Sequence, residues 1–541
     1  MERIVLKNGK IYQQRGQFAQ ALCIEDGVIA AVGSDSELAH LEADATVYDC
    51  GGRTVIPGLN DSHLHLLHVA DQLARVDIGS CTSVEDLIER CRAFLETHPH
   101  ARANGLHSVG WNQDLFDEPR IPTRHDLDRI ATDIPIVLER ICGHILSTNT
   151  RAIEMLGLTA DSPQYVGGTF EFGEDGQPNG IFTENACRYA VDLIPAPSAE
   201  EQEALLLQTM QYAVAHGLTS VQSNDAGTSR SAALGPQFFA MVRQIFARGD
   251  APLRYRHQVC FQTTQQFAEF LRSGEREHPA YQGDSWLTMG PLKLFKDGSL
   301  GARTATMRKE YQDDPGNFGV ECTDDALMRE FCRMAQEAGM QVVTHAIGDD
   351  AICRTLDAYD SVNQPGQNPL RHGVVHCQIT DRAMLQRMAD NQIPAFFQPI
   401  FLDYDMRVVE SRVGKELAET SYAFATFPKM GGKVSYGTDA PVEDCNPFPN
   451  IYSAVTRKNL AGQPEGGFVP AERVDIYDAI DAYTAGSAWC EFAEDVKGRL
   501  KPGFLADLVV LDTDIFTCDP MKIRDILPVL TMVNGEIAWQ K

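Results

Sequence analysis

No apolar run in this chain approaches the roughly 20 residues that cross a bilayer. None of its fourteen cysteines forms a CxxC pair, which excludes a zinc knuckle and a dithiol redox motif. They read instead as reduced, small, buried residues of a cytoplasmic protein. Positive charge is scarce: 47 Lys and Arg stand against 75 Asp and Glu, a formal net charge of −28. Such a balance excludes nucleic acid and anionic membrane as partners. The N-terminus begins directly as a strand, without a secretory apolar segment. Low-complexity tracts, fixed-period repeats and a glycine-rich phosphate turn are all missing, and the last absence argues against a doubly wound nucleotide-binding sheet.

What remains is a soluble globular composition, 43% apolar and 23% charged, in 541 residues, too many for one ordinary core. Asn8-Gly9, Asp26-Gly27 and Asn534-Gly535 each lie between short apolar runs and predict β-hairpins at the two ends of the chain. Neither end has enough apolar surface to stand alone, so residues 1–57 and 491–541 are expected to pair into one β-sandwich. Between them strands and helices alternate. Candidate strands are the one carrying His63, then 219–222, 253–259, 292–295, 342–345, 374–377, 395–398 and 434–437. Eight such strands predict an α/β fold, a (β/α)8 TIM-like barrel, with strand one at 58–70 and the remainder at 206–490. Residues 71–205 are too long for a loop and predict an inserted α+β subdomain.

The chemistry is expected at the C-terminal ends of the strands. His63-Leu64-His65 places two imidazoles on one face of a strand end. Lys293, His345, His376 and Asp439 stand at the ends of later strands, a nitrogen and oxygen donor set suited to zinc or a similar divalent ion. Each has a plainer reading taken alone: His345 and His376 as core histidines, Asp439 as a helix cap. Lys293 is harder to dismiss, because a lysine in an apolar strand is costly unless neutralised or paired. Lys296 competes with it but falls on the opposite face. His68, His98, His100, His107, His125 and His372 read as surface or helix residues, whereas His144 is a candidate to reach the pocket from the insertion.

The segments Pro57-Gly58-Leu59-Asn60-Asp61-Ser62-His63-Leu64-His65, Gly110-Trp111-Asn112, Leu292 to Gly301, His345 to Asp349 and Gly437 to Pro441 resemble the amidohydrolase superfamily, specifically its family 3. So does the closing stretch from Gly498 to Val509, and the likeness covers almost the whole chain in order. The resemblance implies that His63 and His65 hold one metal and His345 and His376 a second. Lys293, carboxylated by CO2, would bridge the two, and Asp439 would bind a metal and shuttle the proton. Glu184 occupies a place where relatives also carry glutamate. Two departures stand out: Val375 precedes His376 where relatives often have glutamate, and Lys296 replaces a usually small residue.

The function expected on these grounds is metal-dependent hydrolysis of a non-peptide C–N bond, an amide or N-acyl group, in a small molecule. One or two divalent ions, zinc first, activate the water, and Asp439 moves its proton. Trp111 and Asp114 are candidate pocket residues, Trp111 having core packing as its plainer reading. Ester or lactone hydrolysis and other barrel chemistry form one alternative. A catalytically silent regulatory or binding protein forms another, and assembly into a homo-oligomer is left open.

Overall fold

Eight strands form the centre of the molecule. Later ones such as Gly373–His376 and Ala395–Phe397 are the short apolar runs expected of strands covered on both faces, whereas Leu59–Leu64, Leu218–Ala226 and Arg254–Val259 carry buried polar side chains. The eight run Leu59–Leu64, Leu218–Ala226, Arg254–Val259, Leu287–Phe295, Val342–Ala346, Gly373–His376, Ala395–Phe397 and Val434–Tyr436. In this computed structural model each lies parallel to the next in that order. The structure describes residues 3–142, 144–195, 197–227, 235–283 and 286–541. Helices between the strands begin where the sequence supplies caps: Asp324 accepts from the Leu327 amide and Asp381 from the Met384 amide.

The last strand closes on the first through its C-terminal end. The Asp439 amide donates to His63 O at 2.9 Å and the His65 amide to Ala440 O at 2.7 Å. Buried Asp61 fastens the same seam, accepting from Thr438 Oγ1 at 2.6 Å, from the Thr438 amide at 3.0 Å and from the His63 amide at 3.1 Å. A side chain at Gly437 would lie 2.7 Å from Asp61 Oδ1 and from the His63 nitrogen, so the seam requires glycine there. Two strand ends that carry candidate donors are therefore held together by backbone bonds.

Both termini build the β-sandwich. One sheet runs Glu536–Gln540, Pro528–Val533, Leu508–Leu511, Thr54–Pro57, Lys10–Gln14 and Gln17–Ala19, joining strands from opposite ends of the chain. The other runs Val28–Gly33, Ala21–Glu25, Arg3–Lys7 and Thr46–Asp49. Asp26-Gly27 and Asn534-Gly535 are hairpin turns with both residues at positive φ. Asn8-Gly9 is not. Arg3–Lys7 and Lys10–Gln14 belong to different sheets, and the turn carries the chain across the sandwich. The reason is competition for partners: the Lys10 amide bonds Arg53 O and the Gly9 amide bonds Gln20 O, so neither strand needs the other.

The chain divides into two compact units, residues up to Val69 with Leu206–Lys541, and Ala70–Leu205. The second unit has its own five-stranded sheet, in the order Gly168–Phe172, Pro178–Glu184, Ile145–Thr148, Ile136–Arg140 and Leu106–Trp111. Its core is distinct, built on residues such as Leu87, Cys91, Trp111 and Leu138. Among the described residues no helix is long and apolar enough to cross a membrane.

Candidate metal centre

At the C-terminal end of the barrel, Asp439 Oδ1 lies 3.3 Å from His63 Nε2 and 3.4 Å from His65 Nε2. Donor atoms of these three residues all fall within 4.8 Å of one another. His376 packs beside them, its ring centroid 5.8 Å from that of His63 and 4.4 Å from that of His345. Lys293, in the fourth strand, is fully buried with its Nζ 3.8 Å from the centre of the Phe295 ring.

The protonation pattern of the imidazoles follows from what they touch. Each has one ring nitrogen facing a carbonyl oxygen, and an oxygen that can only accept forces that nitrogen to carry the hydrogen. His63 Nδ1 donates to Gln258 Oε1 at 2.7 Å and His65 Nδ1 to Asn224 O at 2.8 Å. His376 Nδ1 donates to Gln398 Oε1 at 2.8 Å, and His345 Nε2 to Gly298 O at 3.0 Å. Both glutamine amides are themselves pinned, Gln258 Nε2 donating to Ser62 O and Gln398 Nε2 to Phe396 O. The lone pairs left over are Nε2 on His63, His65 and His376, and Nδ1 on His345. Anchoring one nitrogen to orient the other is how ligating histidines are prepared for a metal.

Burial keeps three of these four rings neutral. It pushes the pKa of His63 down to about 4 and that of His345 to about 3, with the Lys293 charge acting in the same direction. His376 falls well below the ordinary imidazole value, through burial first and His345 second. His65 differs: burial lowers its pKa, but Asp439 outweighs burial and leaves it raised. Asp439 moves well below the usual carboxylate range, because His63 and His65 outweigh the opposing effect of burial. Burial also drives Lys293 down to about 8, against the pull of Asp439.

A divalent ion fits this donor set on one further observation. His63 Nε2 and Lys293 Nζ are buried polar atoms with no hydrogen-bond partner, and buried polar groups are rarely left so without a reason. An electron-pair acceptor satisfies both, provided Lys293 is neutral or carries an acid group.

Three of these supports are absent from the sequence reading: Gln258, Gln398 and Asp61. Gln258 and Gln398 supply the carbonyl acceptors behind His63 and His376. Their sequence signal is slight, an amide side chain at the end of a barrel strand. Replacing Gln398 with leucine is expected to weaken divalent-metal affinity about 10–100-fold, measured by competition with a chromogenic chelator. Unchanged affinity would mean that the His376 ring is held by other contacts.

The remaining candidates have partners of their own. Lys296 is buried and its Nζ donates to Glu321 at 2.5 Å, Asp325 at 2.6 Å and Thr323 O at 2.8 Å. Trp111 is fully buried in the core of the second unit, its Nε1 donating to Leu138 O. Asp114 is exposed and paired with Arg140 at 3.0 Å. His144 and Glu184 bond each other at 3.0 Å, both exposed, within the insertion. His372 is no surface residue: it is buried, with Nδ1 accepting from the Val342 amide and Nε2 3.0 Å from Gln336 Oε1.

The sequence pattern of the amidohydrolase family matches residues 46–538. The chain belongs to this family. Its members' hydrolysis of C–N bonds other than peptide bonds is therefore its reaction class, and a divalent metal and a small-molecule substrate come with it. Among curated relatives it is 30% identical to a putative amidohydrolase, YtcJ, of Bacillus subtilis, over 100% of both chains. It is 25% identical to the N-substituted formamide deformylase of Arthrobacter pascens, over 99% of this chain and 98% of that one. A crystal structure of a metal-dependent hydrolase from Pyrococcus furiosus superimposes with a TM-score of 0.75 at 27% identity, covering 95% of this chain and 100% of the other.

Proposed function

We propose that this amidohydrolase cleaves an amide or N-acyl bond of a small molecule with zinc as its metal. His63, His65, His345, His376 and Asp439, together with Lys293 carboxylated by CO2, would hold one or two ions. The observation that carries this reading is the set of four imidazoles, each tied down through one nitrogen, with the other lone pair free. When bound, the metal polarises the substrate carbonyl and lowers the pKa of water from about 15.7 towards about 7.

The chain's own residues do the rest. Asp439 faces His63 and His65 through Oδ1, which leaves Oδ2 to take the proton of the attacking water. The same oxygen returns it to the departing nitrogen, so that an amine leaves instead of an amide anion. The depressed pKa of Asp439 keeps it ionised, the form a proton acceptor needs. Gln258 and Gln398 hold imidazole rings in place while the reacting groups change charge.

Metal analysis of protein purified without added metal, followed by a panel of N-acyl amines, N-substituted formamides, cyclic amides and lactones, tests the proposal. Near-stoichiometric zinc with turnover of a formamide or N-acyl amine is the expected result. Turnover of lactones alone would move the activity to esters. Metal-poor protein that gains no activity from zinc or manganese would favour a regulatory role.

A further inference from the structure

Beyond the metal ligands, three neighbouring loops at the C-terminal end of the barrel carry acceptors that the hydrolytic chemistry does not use. Gln378 follows His376 by two residues on the loop after strand six. Asp403 and Asp405 lie on the segment after strand seven, which also carries Phe401, stacked on the His376 ring at 5.7 Å and 13°. Glu443 follows Asp439 by four residues after strand eight, so it sits within about 14 Å of that residue along the chain.

The Gln378 amide is buried, 4% exposed, and its orientation is set by Nε2 donating to Asp405 Oδ2 at 2.9 Å. Its Oε1, at the same end of the side chain, is buried with no partner. Glu443 is half-buried and has no hydrogen bond or ion pair among the described residues. Burial, with Asp403, Asp405 and Asp444 beside it, raises its pKa to about 7. Arg412 is committed to Asp313, Arg407 reaches Asp403 only at 4.0 Å, and Asp403 Oδ1 accepts from the Leu460 amide. Tyr404, between Asp403 and Asp405 in sequence, and Val442, next to Glu443, are 52% and 65% exposed, an apolar flank to the acidic cluster.

An orphaned buried carbonyl beside carboxylates that repel one another is a receptor lacking its donor. A primary ammonium offers three donors and one positive charge, which matches Gln378 Oε1 and the carboxylates of Glu443 and Asp403. We propose that these groups form a substrate subsite for a primary ammonium, and that the preferred substrates are amides bearing an ammonium at the far end of an alkyl stem. The inference rests on the hydrolase reading for the position of the scissile bond, with Tyr404 and Val442 beside the stem.

The test compares N-formylcadaverine with N-hexylformamide, which exchange an ammonium for a methyl group, on the zinc-loaded full-length enzyme at low salt. The ratio of kcat/KM is expected to favour the cation about tenfold or more, the order of one partly buried ion pair, and to shrink as salt is added. Glu443→Gln should bring the ratio to near one and Glu443→Lys should invert it. A wild-type ratio of one or below, or a ratio that neither variant moves, overturns the subsite.

If neither formamide is hydrolysed, the reaction assigned above fails, and the subsite is read separately by calorimetry with hexylammonium against hexanol. Binding of the ammonium alone, lost in Glu443→Gln, supports it. Equal binding of both, or of neither, overturns it.

Discussion

Replacing Lys293 with methionine is expected to lower hydrolysis about 10³-fold and, in the metal-free protein, to raise the melting temperature. The two effects have one cause. The lysine is fully buried, its Nζ has no hydrogen-bond partner, and burial holds its pKa near 8 against an ordinary 10.5. At neutral pH that depression corresponds to a folding cost of about 3 kcal/mol. The folded pKa lies below the unfolded one, so the penalty is complete below about pH 8 and fades as the pH rises towards 10.5. Methionine has a similar length and no charge, so the metal-free variant should melt a few degrees higher at neutral pH and lose that advantage in alkali.

Activity should fall about 10³-fold, the several kcal/mol that a lost metal contact represents. Neutral amine is the form that adds CO2, and the depressed pKa makes that form accessible near neutral pH. Bicarbonate should therefore speed metal loading of the wild-type apoprotein and leave the methionine variant unaffected. Full activity in the variant would remove Lys293 from the site. Lower stability together with lost activity would mean that its ammonium has a structural partner.

The architecture was readable because strands alternate with helical stretches, several of them as short apolar runs such as Ala395–Phe397, and because donors fall at strand ends. His63 and His65 share a face by strand parity, and the structure sets both beside Asp439. Parity also separates Lys293 from Lys296, whose Nζ is held by Glu321 and Asp325. Two kinds of information were out of reach. The first is which element a strand chooses as partner: Asn8-Gly9 has hairpin residues, yet its flanking strands find better partners in two different sheets. The second is the support behind the donors. Gln258 and Gln398 are ordinary residues in sequence, and only their placement behind His63 and His376 gives them a role. His372 shows the converse, since a histidine next to a turn looks exposed until its bond to the Val342 amide is seen.

Asp439→Asn should lower kcat by about 10²–10⁴-fold, the range of a lost general acid–base group, with the melting temperature unchanged. The choice of asparagine follows from the backbone. Asp439 sits at φ 56°, a left-handed conformation that asparagine accepts as readily as aspartate and that most other residues resist. The Asp439 amide also closes the barrel onto His63 O, so distortion there would spread to the seam between the first and last strands. Asparagine preserves that geometry and removes only the charge and the proton-accepting oxygen. Alanine at the same position loses the charge and adds strain of roughly 1–2 kcal/mol, so it should melt earlier as well as turn over slowly. The pair of variants thus separates chemistry from folding. Metal content measured on the same samples separates loss of a ligand from loss of the proton carrier. If Asp439→Asn keeps its metal and more than a tenth of the wild-type kcat, another group moves the proton.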